Sequence, residues 1–189
     1  MDTYNYLAVL VSIILGLGIT NLLSGMAALV RQRARVRMYW PAAIWMMTLF
    51  LAHAQMWWAM FGLVGVQHWT FAKFLAVLLQ PVALFLTTAF IVPDLPGAGP
   101  IDLKEQFIRE ARWLGCGLAA MLITSAIKNV VIQGYMLPVD IAAHAAFGIP
   151  ALATIFLRND LVIRIVAPIT ALLFLAYTGF LFADLGKFG

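Results

Sequence analysis

The chain divides into six long apolar runs set apart by polar residues, glycines and prolines, at about residues 4–30, 39–61, 70–92, 111–133, 138–157 and 161–185. Each approaches or exceeds the ~20 residues that a helix needs to cross a bilayer, so each is read as a transmembrane helix. Met1 to Tyr6 carry no basic leader, and the run that follows continues to Val30, too long for a signal-peptide core. It is expected to be a retained first span.

Composition removes the soluble alternatives. Of 189 residues, 64% are hydrophobic and 11% charged, against roughly 45–50% and about 25% in soluble domains. Six spans with ordinary loops use nearly the whole length, so residues 1–189 are expected to form one all-α integral membrane domain. A formal charge of +4 would suggest nucleic acid in a soluble protein. Here the basic residues cluster in loops, and no nucleic-acid partner is expected. Cys116 is the single cysteine, which leaves no disulfide or thiolate metal site within one chain.

Charge then orients the spans. Arg31, Arg33, Arg35, Arg37, Lys104, Arg109, Arg112, Arg158 and Arg164 fall on alternate loops or just inside them, together with Asp94, Asp102, Glu105, Glu110 and Asp160. The other side balances Lys73, Lys128 and Lys187 against Asp2, Asp140 and Asp184. By the positive-inside rule the arginine side is cytoplasmic and both termini face outward, with anionic lipid headgroups drawn to the basic rim. A cell-membrane location follows, and the opening resembles bacterial inner-membrane proteins in its general look. No function is taken from that likeness.

Between the third and fourth runs, Pro93 to Pro100 is turn chemistry, and Asp102 with Glu105 is a helix-capping pair. A short cytoplasmic amphipathic segment, about 102–110, is expected to run into the fourth span. Its Leu103, Phe107 and Ile108 suit either the membrane interface or a plain lead-in turn.

Polar groups inside spans are costly, so the few present are pointers to packing or function. In the first span Ala8, Ser12, Gly16, Thr20, Ser24 and Ala28 recur every four residues, beside Gly18, Asn21 and Gly25. Small residues so spaced let helices approach closely, which assigns Ser12, Gly16, Gly18 and Gly25 to packing. Thr20, Asn21 and Ser24 could instead coordinate an ion or solute. The fourth span carries a similar row, Cys116, Ala120, Thr124 and Lys128, with Gly117, Ser125 and Asn129 adjacent. Ala120 joins the packing set and Thr124 the path. The likeness of the two rows suggests a weak three-plus-three inverted repeat, an architecture many transporters use.

Depth links the remaining polar residues. Lys128 lies about 9 Å from the outer end at ~1.5 Å per residue, where it either snorkels outward or faces a polar cavity with Asn129 and Gln133. His53 and His144 lie about 13 and 10 Å below the same surface. They suit hydrogen-bonded packing, a proton relay, or the axial positions of a b-type haem. Gln55 stands beside His53, Trp57 and Trp58 read as interfacial anchors, and Pro81, Pro150 and Pro168 can bend their spans.

Three functions follow. The first is a channel or carrier for a small anion, a neutral solute or protons, with a path between the first and fourth spans and an outward cavity of Lys128, His144, His53, Gln55 and Asn129; it needs no cofactor. The second is an accessory or scaffold subunit, as a homo-oligomer or among partner membrane subunits, held through the small-residue stripes. The third is a haem redox protein. An enzyme is less expected, since no nucleophile with its base and no metal-ligand set can be assembled.

Overall fold

The computed structural model describes residues 3–93, 99–157 and 159–181. Asp2, Asp94, Arg158, Asp184 and Lys187, which entered the charge count, lie outside them, as do residues 94–98 of the turn after Pro93. The described chain is all-helical apart from two short strands. Its elements are α1 (Thr3–Arg31), β1 (Val36–Arg37), α2 (Trp40–Ala59) with a 3-10 turn (Met60–Leu63), α3 (Phe71–Ala89), β2 (Ile101–Asp102), α4 (Leu103–Gln133), α5 (Pro138–Phe156) and α6 (Asp160–Leu181).

Five of these helices, α1, α3, α4, α5 and α6, are long and apolar enough to cross a membrane. That is the architecture of an α-helical, multi-pass membrane-embedded protein. The exception is α2, whose 20 residues include Pro41, His53, Gln55 and four tryptophans, and which is nonetheless deeply buried along one face.

Local chemistry sets the boundaries. Pro41 and Pro138 occupy first-turn positions of α2 and α5, where the missing N–H costs nothing. The Thr70 hydroxyl accepts from Lys73 N to start α3, and the Asp102 carboxylate accepts from Lys104 N and Glu105 N to start α4. At the far end of α4, Gly134 takes a left-handed φ of 85°, the usual glycine stop.

Packing follows a ring. α1 lies on α2 and α3, α3 on α4, α4 on α5, α5 on α6, and α6 returns to α2. The buried seam of α1 is Leu7, Val11, Leu15, Gly18, Leu22, Gly25 and Leu29, spaced by fours and threes that alternate from Val11 onward as in a coiled coil. The neighbours do not repeat between the two halves of the chain: α1 lies along α3, whereas α4 and α6 share no comparable face among the described residues. The three-plus-three repeat suggested by the small-residue rows is therefore not carried into the packing.

One end of the ring is fastened by polar contacts. β1 pairs in parallel with β2, Val36 beside Ile101, and the Arg35 guanidinium donates to Gly99 O at 2.8 and 3.0 Å. Asp160 at the start of α6 accepts from Tyr39 Oη at 2.9 Å, Lys104 Nζ at 2.9 Å and Arg164 Nε at 3.1 Å. Of the expected segment 102–110, Asp102 is the cap and residues 103–110 form the first turns of α4 rather than a separate surface helix. Leu103 and Phe107 are buried in the chain's own core, with the Phe107 ring 5.8 Å from that of Tyr39.

Candidate functional site

Toward the opposite end, where the α2–α3 and α4–α5 connections lie, the ring encloses a cavity of about 360 Å³. This size falls in the range of small-molecule sites, roughly 300–1,000 Å³. Its wall is mainly apolar, with Leu49, Met56, Leu118, Met121 and Phe174 among the contributors. Onto it converge Gln55 from α2, Gln80 from α3, Ser125, Lys128 and Asn129 from α4, Asp140 and His144 from α5, and Thr170 and Tyr177 from α6.

Helical spacing explains the convergence. Ser125, Lys128 and Asn129 stand at i, i+3 and i+4 on α4, and Asp140, His144 and Phe147 at i, i+4 and i+7 on α5, so each set occupies one face. His144 ties the two helices together. Its Nδ1 lies 2.7 Å from Asp140 O and its Nε2 3.1 Å from Leu122 O. Thr170 donates to Val166 O at 2.8 Å, and five of the other polar members are unsatisfied. Among the described residues, the side chains of Gln55, Gln80, Ser125, Lys128 and Asn129 make no hydrogen bond or ion pair with the protein, although Asn129 is only 7% exposed. At the inner end of the cavity Trp45 is 1% exposed, and its indole N–H has no partner.

Lys128, His144, Gln55 and Asn129, singled out by depth, are thus brought to one wall. The chain matches no protein-family model, no curated protein and no solved structure.

Other residues named from the sequence lie elsewhere. His53 is fully buried and turned away from the cavity toward α1, where its ring lies against Gly18. Its Nδ1 is 2.7 Å from Leu49 O, and Nε2 has no partner. Thr124 donates back to Ala120 O at 2.9 Å and Met121 O at 3.1 Å and does not line the cavity. Thr20 and Ser24 are exposed on the outer face of α1. Asn21 donates to Thr88 Oγ1 of α3 at 3.5 Å, a packing contact. α1 and α4 share no extended face among the described residues.

The packing set divides in the same way. Gly18 and Gly25 admit His53 and Val92 where a β-carbon would collide. Ser12 accepts from Trp57 Nε1 at 3.3 Å, and Ala120 is half-buried. A β-carbon on Gly16 would meet nothing within 4 Å. Gly117, beside the small-residue row of the fourth span, approaches Thr87 of α3, and Gly115, which the sequence did not single out, lies against α5.

The histidine pair does not fit a haem. Axial ligands must present a free nitrogen to one gap. His53 instead faces Gly18, both ring nitrogens of His144 lie on carbonyl oxygens, and α2 and α5 share no extended face. No group of three or more histidine, cysteine or acidic side chains suited to a metal ion occurs among the described residues.

Proposed function

We propose that the protein is a small membrane carrier or channel whose cavity binds a polar solute. The observation that carries this is the unpaired set of Gln55, Gln80, Lys128 and Asn129, drawn from three helices onto one cavity. Leaving such groups unsatisfied in an apolar setting is costly, and a solute or its water supplies what the chain withholds. In this reading α2 is also a span, giving six. Positive residues at the Asp160 end make that end cytoplasmic and the cavity outward-facing, in a cell membrane of the bacterial inner-membrane kind.

The test is flux. Purified protein in liposomes would be challenged with a neutral polyol, a monocarboxylate and a zwitterion, and entry followed by light scattering. At least one solute should equilibrate faster than in empty vesicles, and Lys128→Met should change its rate by about tenfold or more. Entry no faster than in empty vesicles for every solute would end the transport reading.

A second reading, as an accessory subunit or homo-oligomer, rests on Gly16, Thr20 and Ser24, which are exposed on α1, with open space where a β-carbon on Gly16 would lie. Bulky substitutions there would lower yield or detach partner subunits without altering flux.

A further inference from the structure

Two opposite charges face the cavity without touching. Lys128 comes from α4 and Asp140 from the first turn of α5; each lines the same volume. No ion pair joins Lys128 to any carboxylate among the described residues. Direct contact is the cheapest arrangement for two lone charges in an apolar wall. Opposite charges that line one volume without pairing suit a guest that brings one of each.

The neighbouring groups refine the guest. The free amides of Asn129 and Gln55 belong to the charged level and can donate to a carboxylate. Deeper in, the wall is mainly apolar, with Leu49, Leu118 and Met121 leading to Trp45 beside Thr48, Gln80 and Thr170. A molecule that fills this shape has two charged groups close together at one end and an apolar body at the other.

We propose that the cavity recognises an apolar α-amino acid, its carboxylate on Lys128 and Asn129, its ammonium on Asp140, and its side chain directed toward Trp45. This rests on the solute-site reading and names the substrate class of that site. Larger side chains fill the apolar part better, so leucine binds more tightly than glycine.

Calorimetric titration of the detergent-purified protein tests the assignment with four probes: leucine, glycine, 4-methylpentanoate, which lacks the ammonium, and isopentylamine, which lacks the carboxylate. Leucine should bind at least about tenfold more tightly than either singly charged analogue, because each leaves a cavity charge unmet. Lys128→Met should weaken leucine but spare isopentylamine, and Asp140→Asn should weaken leucine but spare 4-methylpentanoate. The charge-preserving variants Lys128→Arg and Asp140→Glu guard against loss of folding and should keep the preference for leucine.

Equal affinity for leucine and 4-methylpentanoate would overturn the zwitterion assignment while leaving a solute site for anions. Equal affinity for isopentylamine would do the same in favour of cations. Binding of none of the four would also overturn it, and the flux of polyol and monocarboxylate would then decide whether the cavity still serves a solute.

Discussion

The imidazole of His53 lies directly over Gly18, in the space that a β-carbon on Gly18 would fill. This contact fixes how closely α1 and α2 approach, and it removes His53 from the cavity that its depth suggested. Gly18→Ala should destabilise the protein by about 1–3 kcal/mol through overpacking. Gly16→Ala on the same helix, with nothing within 4 Å, should fall within about 0.5 kcal/mol of the parent or gain slightly from helix propensity. Thermal unfolding in one detergent compares the two, and equal losses would refute a helix contact centred on Gly18.

The α4 glycines make a graded pair. A β-carbon on Gly117 would meet the Thr87 side chain, whereas one on Gly115 would lie 2.9 Å from the Ala151 carbonyl oxygen as well as against Thr154 and Ile155. A side chain can turn aside; a helix backbone cannot. Gly115→Ala should therefore cost more than Gly117→Ala, each on the order of 1–3 kcal/mol. The same unfolding measurement ranks them, and a reversed order would contradict the α4–α5 approach.

At the fastened end, Asp160 gathers Tyr39, Lys104 and Arg164. Asp160→Ala strands the Tyr39 hydroxyl, whose residue is 4% exposed, and removes the anion between two cations. Tyr39→Phe removes one hydrogen bond and leaves both ion pairs. The alanine variant should melt at the lower temperature. The ion-pair part of its deficit should shrink at about 1 M salt, where charges are screened beyond ~3 Å. A deficit indifferent to salt would show that the ion pairs contribute little.

Neighbouring residues on α4 separate the cavity wall from mere depth. Ser125 lines the cavity, while Thr124, one residue earlier, turns back on its own helix. With Cys116 replaced by alanine, Ser125→Cys should react with a small charged thiol reagent at least about tenfold faster than Thr124→Cys, since only the former is wetted by the cavity. Similar rates measured by mass spectrometry would dissolve the distinction.

Much of the fold was legible because apolar length and its breakers report helices directly. The run read as 138–157 is Pro138–Phe156, and the capping pair Asp102 and Glu105 starts α4 where expected. The site was legible only in one coordinate. Depth along a helix follows from counting residues, which is why Lys128, Asn129, Gln55 and His144 meet. The angle around the axis is set by which neighbours pack, and a single sequence does not give them; His53 and Thr124 have suitable depths and the wrong azimuth. Asp140, Gln80 and Tyr177 were passed over for the converse reason. Asp140 counts as a loop charge by position, yet its spacing of four from His144 puts it on the cavity face.

A larger share of α2 is buried than of its neighbours, and it is the helix outside the five most apolar. In the six-span reading this bears on how the protein is made. A segment with histidine, glutamine, proline and four tryptophans partitions into hydrocarbon less readily than α1, so its residence depends on what receives it. Gly18 accommodates the histidine, the cavity admits the glutamine, and α6 covers the remaining face. During synthesis α2 is then a dependent segment. A nascent chain halted before α3 would hold one firm crossing and one that slips out, and the second would become permanent only as later helices close the ring around it.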